Sequence, residues 1–441
     1  MLYKWLVIGC VLSLVPLWVF NLVGGAIEWC CLPLLVLLQI GLIYRFRQIQ
    51  PLLILSIYLC IYALYLIPHF WGGARLSEWW AYQDTHYFRQ VLLQFYVFYV
   101  GLAVGALAPM NPERRRLIDR QTVQVSQGTA IGFALVVCVL LVLTYRSGTN
   151  VLTADNPYLA YIENSKAGSF VIMLTIISTT TLGILLRGSR IGRLVVAGLF
   201  LLLGYFLVTR GYRILLTTVV MGCFLLFFEL KFKTRTILLG CGLAVVLFLL
   251  LNIAKGGAEL EWDTLFNTGS NEVILSHHAD NLYGTAAMNG LVENGSIDLI
   301  NRFWMGLAWV SHALVPPSLT PQIVRVPQFV GLFTAIGGGG LAPVICWLYW
   351  GYIGCFLFPL LMVRWIAKAY QGSGGGFQRL AIFIVLTTGC NWLSYDFHVV
   401  LRLPVLACLL CWLAKRVDLG WLLIDRRQLI KRNKNLIHNT F

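Results

Sequence analysis

The stretch FLVTRGYRILL, residues 206–216, sets Arg210 and Arg213 three positions apart between two apolar runs. At that spacing two guanidinium groups form a fork able to grip one phosphate or pyrophosphate through planar, bidentate hydrogen bonds. The same pair at a membrane boundary has a plainer use, because guanidinium groups snorkel to headgroup phosphates and anchor a tight turn. The choice depends on which side of a membrane the turn faces, since cytoplasmic loops collect Lys and Arg and the opposite side is depleted of them. Two further clusters place titratable side chains close together: the adjacent His277 and His278 in NEVILSHHADNLYG, and Asp396 with His398, two apart in SYDFHVVLR. Each cluster has a bland reading as interfacial or solvated residues.

The elements that must hold these residues follow from composition. Of 441 residues 59% are hydrophobic and only 12% charged, and apolar runs of the length that crosses a ~30 Å hydrocarbon core recur down the chain. The runs are continuous rather than alternating, which excludes an outer-membrane barrel. The expected fold class is an all-α polytopic integral membrane protein with about twelve transmembrane helices, at roughly 5–23, 27–44, 51–70, 91–109, 128–145, 169–186, 194–209, 214–230, 236–253, 341–363, 380–395 and 401–414. No small-x-small cleavage site closes the first run, so it reads as a retained span. The twelve Cys lie mostly inside apolar runs and give neither zinc spacing nor a disulfide framework.

Placing the N-terminus in the cytoplasm puts 23 of the 33 Lys and Arg on that side, among them the ERRRLIDR loop and the tail after Lys415. Both termini are then cytoplasmic, and the net charge of +15 is an orientation signal rather than a nucleic-acid footprint, since no reading motif accompanies it. On this topology Arg210 and Arg213 face outward, on the disfavoured side, as do Arg302, Arg325 and Arg402. The organisation reads as spans one to nine in 1–253, a large late outer loop with short amphipathic helices in 254–340, spans ten to twelve in 341–414, and a basic amphipathic tail in 415–441 lying along anionic headgroups. A loop of that length is expected to be a lid or substrate platform.

LVPPSLTPQIVRVPQ (314–328) followed by GGGGLAPVICWLYWGYIG (337–354) resembles the late outer loop and following span of Wzy-type oligosaccharide repeat-unit polymerases, and LVTRGYRILL resembles a span-boundary element of the wider O-antigen polymerase and ligase superfamily. Pro317 and Leu341 depart from the family pattern, leaving Arg325 as the nearest cation to the proline turn. The resemblance implies a GT-C-like membrane glycosyltransferase. It would join oligosaccharides carried on undecaprenyl pyrophosphate at the outer face of a bacterial inner membrane, among membrane lipids, with a chain-length regulator and a flippase as partners.

Such a reaction needs cations for the pyrophosphate, a base for the acceptor hydroxyl and aromatic surfaces for sugars. The resemblance assigns Arg210, Arg213, Arg325 and Arg402 to the first task. His277, His278, His398, Asp396 and Glu163 are candidates for the second, and Trp304, Trp309 and Tyr283 for the third. No D-x-D pair is present, so neither metal nor cofactor is expected. The alternatives are a ligase that moves finished glycan onto a lipid A core, and a lipid-linked oligosaccharide flippase. The second fits less well, because spans with almost no charge and no matching halves are unlike those of transporters.

Overall fold

A computed structural model describes residues 2–76, 82–108, 117, 125–146, 150, 169–186, 189–210, 212–229, 232–256, 277–315, 340–371 and 375–438. All regular elements among them are helical, as hydrocarbon demands of a chain whose backbone polar groups must be satisfied within each segment. Among the described residues seven helices are long and apolar enough to cross a membrane: Leu2–Leu22, Glu28–Phe46, Gln50–Gly72, Thr85–Gly105, Gly128–Arg146, Arg190–Thr209 and Ala342–Tyr370. Four of the other expected spans meet shorter apolar helices at Val171–Leu185, Ile214–Phe228, Thr234–Ala244 and Gly376–Thr387. The last begins the helix Val399–His438, which continues into the basic tail without a break.

The chain divides into two compact units. The first comprises Met1–Leu117, Phe228–Gly374 and Val385–Arg402. In it α1 (Leu2–Leu22), α2 (Glu28–Phe46), α3 (Gln50–Leu64) and α4 (Ile67–Gly72) lead to α5 (Thr85–Gly105), the most enclosed span, buried almost continuously from Val91 to Gly101. The ends of these helices are fastened by cations. Arg45 donates to the carbonyls of Ala106 (2.8 Å from Nε) and Ala108 (3.0 Å), satisfying acceptors that the end of α5 leaves open. Near the opposite end of α5, Arg89 holds the Glu28 carboxylate with two bonds of 2.9 Å.

The second unit comprises Ile118–Phe227, Gly375–Ile384 and Leu403–Phe441. It holds α6 (Gln127–Arg146), α7 (Ser169–Leu185), α8 (Arg190–Thr209) and α9 (Arg213–Cys223), whose last turn widens into a π-helix at Phe224–Phe228. Helix α6 is supported at both ends by charges of the sign its dipole favours. Asp418 accepts from Ser126 N and Thr129 Oγ1, each at 3.0 Å, where α6 begins. Arg210 donates to the Tyr145 carbonyl at 3.3 Å where it ends.

After α10 (Thr234–Gly256), the described residues of the long segment expected to be an outer loop form two very different helices. In α11 (His277–Glu293) every residue from Asn281 to Leu291 is buried. Burial is possible because its polar stripe, Asn281, Thr285 and Asn289 at four-residue spacing, is hydrogen-bonded. Asn289 meets Gln94 of α5 at 2.8 Å, and Asn281 donates to Tyr62 Oη (3.3 Å) and to the Ser394 carbonyl (3.0 Å). Glu293 lies 3.3 Å from His86 near the start of α5, so α11 runs antiparallel to α5 and begins deep in the helix bundle. Helix α12 (Leu299–Leu314) has Ile300, Phe303, Trp304 and Leu307 exposed along one side.

Helix α13 (Ala342–Tyr370) packs along α5 at the G-L-A-V-G stretch, where a small-xxx-small spacing lets backbones approach. A Cβ on Gly101 would fall onto the Phe356 carbonyl oxygen, and one on Gly105 would stand 3.0 Å from the Leu360 carbonyl oxygen. The helix is interrupted at Gly351, whose φ of 65° and ψ of −165° a residue with a side chain rarely adopts. The break frees the carbonyls of Trp347 and Leu348, and Arg302 of α12 donates to both, at 2.8 and 2.9 Å, while lying over the Trp347 ring. The eleventh expected span is also interrupted, as α14 (Gly376–Thr387) and α15 (Gly389–Ser394).

Candidate functional site

In the first unit, a four-residue turn, Tyr395–His398, joins α15 to α16 (Val399–His438). Its shape is set locally: Asp396 Oδ1 accepts from the His398 amide at 3.1 Å, an aspartate folding back onto the backbone two residues on. The same oxygen lies 3.2 Å from His398 Nδ1. A carboxylate at Nδ1 fixes the imidazole orientation and favours the tautomer with its proton on that nitrogen, leaving Nε2 as the basic atom. His398 is buried, with 5% of its side chain exposed, whereas Asp396 keeps 36%. Burial raises the Asp396 carboxyl, but the His398 hydrogen bond and the charges of His398 and Arg402 outweigh it and hold it below its ordinary value. Asp396 is therefore ionised at neutral pH, as an orienting carboxylate must be.

Between the two titratable residues Phe397 points into an aromatic cluster. Its ring centroid lies 5.0 Å from Phe358, 5.4 Å from Trp309, 6.3 Å from Trp350 and 6.4 Å from Tyr349. Trp309 stands edge-on to Trp350 at 5.5 Å. The turn is tied on two further sides: Gly340 donates to the Tyr395 carbonyl at 3.3 Å, and Ser394, just before it, is held by Tyr58 Oη (2.8 Å) and Asn281. No family model, curated protein or solved structure matches the chain.

The sequence candidates are therefore distributed unevenly. Asp396 and His398 form a hydrogen-bonded pair, and Arg402 lies in the first turn of α16, its amide bonded to the His398 carbonyl at 3.0 Å. His277 and His278 open α11 one turn before Asn281, which brings their backbone to the same part of the first unit; their side chains lie outside the described residues. Glu163 and Arg325 also lie outside them, as does the Arg213 side chain at the start of α9. Arg210 is in the second unit, on the Tyr145 carbonyl and 5.5 Å from the centre of the Phe206 ring.

For the aromatic candidates the outcomes differ. Tyr283 is wholly buried in α11. Trp304 is 59% exposed on the apolar side of α12. Trp309 has its ring committed to Trp350 and Phe397. No group of His, Cys, Asp and Glu suited to hold a metal ion occurs among the described residues.

Sequence reasoning passed over Tyr349, Trp350 and the structural task of Arg302. The signal was present in W-L-Y-W-G-Y-I-G: a glycine inside an otherwise unbroken apolar helix marks a place where carbonyls are released and need a donor.

Proposed function

We propose that the chain is a membrane glycosyltransferase that polymerises undecaprenyl-pyrophosphate-linked oligosaccharide repeat units at the outer face of a bacterial inner membrane. The observation that carries this reading is the Asp396–His398 pair, an oriented imidazole with an ionised carboxylate behind it, seated in an aromatic cluster. In the reaction His398 takes the proton of the acceptor hydroxyl, the acceptor oxygen forms a bond to the anomeric carbon of the donor, and the bond from that carbon to the pyrophosphate oxygen breaks. The electron pair leaves with undecaprenyl pyrophosphate, and Arg402 supplies positive charge beside it. The twelve-span topology with both termini cytoplasmic belongs to this proposal, because it sets the turn and the late loop on the side where the lipid-linked donor is presented.

The broken helix α13 is the feature that would favour a transporter, since discontinuous spans build substrate sites at membrane depth. Here the freed carbonyls are occupied by Arg302 of the same unit, which makes the break a fastening rather than a vacant ion site. A ligase would use the same proton transfer and differ in its acceptor.

Surface glycan from cells lacking the protein separates these readings. Single-repeat capping supports a polymerase; free lipid-linked polymer with naked core supports a ligase; repeat units retained on the cytoplasmic face support a flippase. Unchanged glycan would overturn the proposal.

A further inference from the structure

Two polar atoms in the cluster around Phe397 have no hydrogen-bond partner although both are buried: the hydroxyl of Tyr349 and the indole Nε1 of Trp309. Tyr349 as a whole is only 5% exposed. Buried donors are almost always satisfied, so a native protein that leaves two within one cluster has a use for them. Their surroundings are those of a polyol site. Both rings pack on Phe397, at 6.4 and 5.4 Å, between the two residues of the dyad. The Asp396 charge is close enough to act on Tyr349. Apolar ring surface with a few convergent polar groups beside a carboxylate matches the alternating C–H and O–H surface of a pyranose.

We propose that Tyr349 Oη and Trp309 Nε1 are the hydroxyl-binding pair of a monosaccharide subsite at the Asp396–His398 turn. The inference rests on the glycosyltransferase reading above and deepens it. It also changes the part played by Trp309: its ring is already committed to Trp350 and Phe397, so its N–H edge, not its face, meets the sugar. Tyr349 and Trp309 are thereby specificity residues, and His398 keeps the proton transfer. The two atoms are enclosed as they stand, so binding moves α12, which carries Trp309, relative to the Tyr349–Trp350 segment.

Tyr349→Phe and Trp309→Phe remove the polar atoms and keep rings in place. An unpartnered buried hydroxyl destabilises the empty protein, so purified Tyr349→Phe in detergent melts at or above the wild-type temperature. The ligand-dependent part is read with two probes: methyl glycosides of common hexoses and N-acetylhexosamines, and lipid-linked repeat units extracted from cells lacking the protein. Wild type gains thermal stability with at least one probe; each variant loses about tenfold in affinity, as one hydrogen bond implies, and raises KM without changing the pH profile of kcat.

A variant that melts higher and binds both probes as tightly as wild type would show a packing defect only, and would overturn the proposal. A Tyr349→Phe protein that melts lower would show that the hydroxyl already has a partner, a bound water, with the same consequence. Wild-type binding of the glycosides that both variants weaken, in a protein that makes no polymer from repeat units, keeps the subsite and discards the polymerase reading.

Discussion

The turn at Tyr395–His398 and the turn at Arg210 both follow an apolar helix and both carry charge, yet they use it differently. In the first, the carboxylate and imidazole are spent on each other, and Phe397, between them in the chain, joins an aromatic cluster. In the second, the Arg210 guanidinium is spent on a backbone carbonyl at the end of α6. Arg45 and Arg302 behave like Arg210: each serves carbonyls that a helix end or a helix break has left open. A cation at a span end is thus first a cap, and chemistry is better sought where two titratable groups hold each other.

The largest test of this contrast is His398→Ala. Loss of a general base costs ~10²–10⁴ in rate, so long surface polymer should vanish at matched membrane levels. Asp396→Asn should also be severe, because an amide that donates to Nδ1 holds the imidazole in the tautomer with Nε2 protonated and no longer stabilises its charged form. Full-length polymer from His398→Ala would break the contrast and return the role of base to His277, His278 or Glu163.

A smaller effect is expected from Gly101→Val, which sharpens the comparison by testing the bed of the first turn. The added side chain meets the Phe356 carbonyl and must push α13 from α5, carrying Phe358 away from Phe397. Overpacking of this kind costs about 1–3 kcal/mol, to be read as a lower melting temperature together with reduced activity. A variant as stable as wild type would mean that α5 and α13 do not approach so closely.

Much of this was legible in residues and some was not. Continuous apolar runs gave the helices and their order, and the two-residue spacing of Asp396 and His398 already allowed one side chain to reach the other. The burial of α11 was hidden because Asn281, Thr285 and Asn289 look like a solvated stripe until their partners Gln94, Tyr62 and Ser394 arrive from distant spans. The contact of Arg210 with the end of α6 was not legible, since the carbonyl it meets belongs to Tyr145, 65 residues away.

In the second region, Asp418→Ala should remove the carboxylate that caps α6 and cost about 1 kcal/mol. Its bonds to Ser126 and Thr129 hold the Asp418 carboxyl below its ordinary value. A depressed folded-state value means the stabilisation is present above the unfolded carboxylate's titration and is lost as pH falls through the depressed one. Wild type and variant should therefore differ in melting temperature at neutral pH and converge in acid. A gap that persists unchanged at low pH would remove the charge from the account of this cap.

The smallest effect is expected from Arg210→Lys, and it is the one that most directly opposes the two turns. As a cap on Tyr145, Arg210 needs a positive donor at the end of α6, which an ammonium on a flexible stem can provide; the loss is confined to the contact with the Phe206 ring and a fraction of a kcal/mol at the helix end. As one arm of a pyrophosphate fork it would need the planar guanidinium, and Lys would cost about 10- to 150-fold in binding or rate. Polymer length on a gel, with Arg210→Lys at wild-type membrane levels, reads the difference directly. Near-normal chains leave the second turn a helix cap. A collapse to short chains with unchanged melting temperature would make it a donor site after all, and the distinction between the two turns would then lie in which substrate group each one meets.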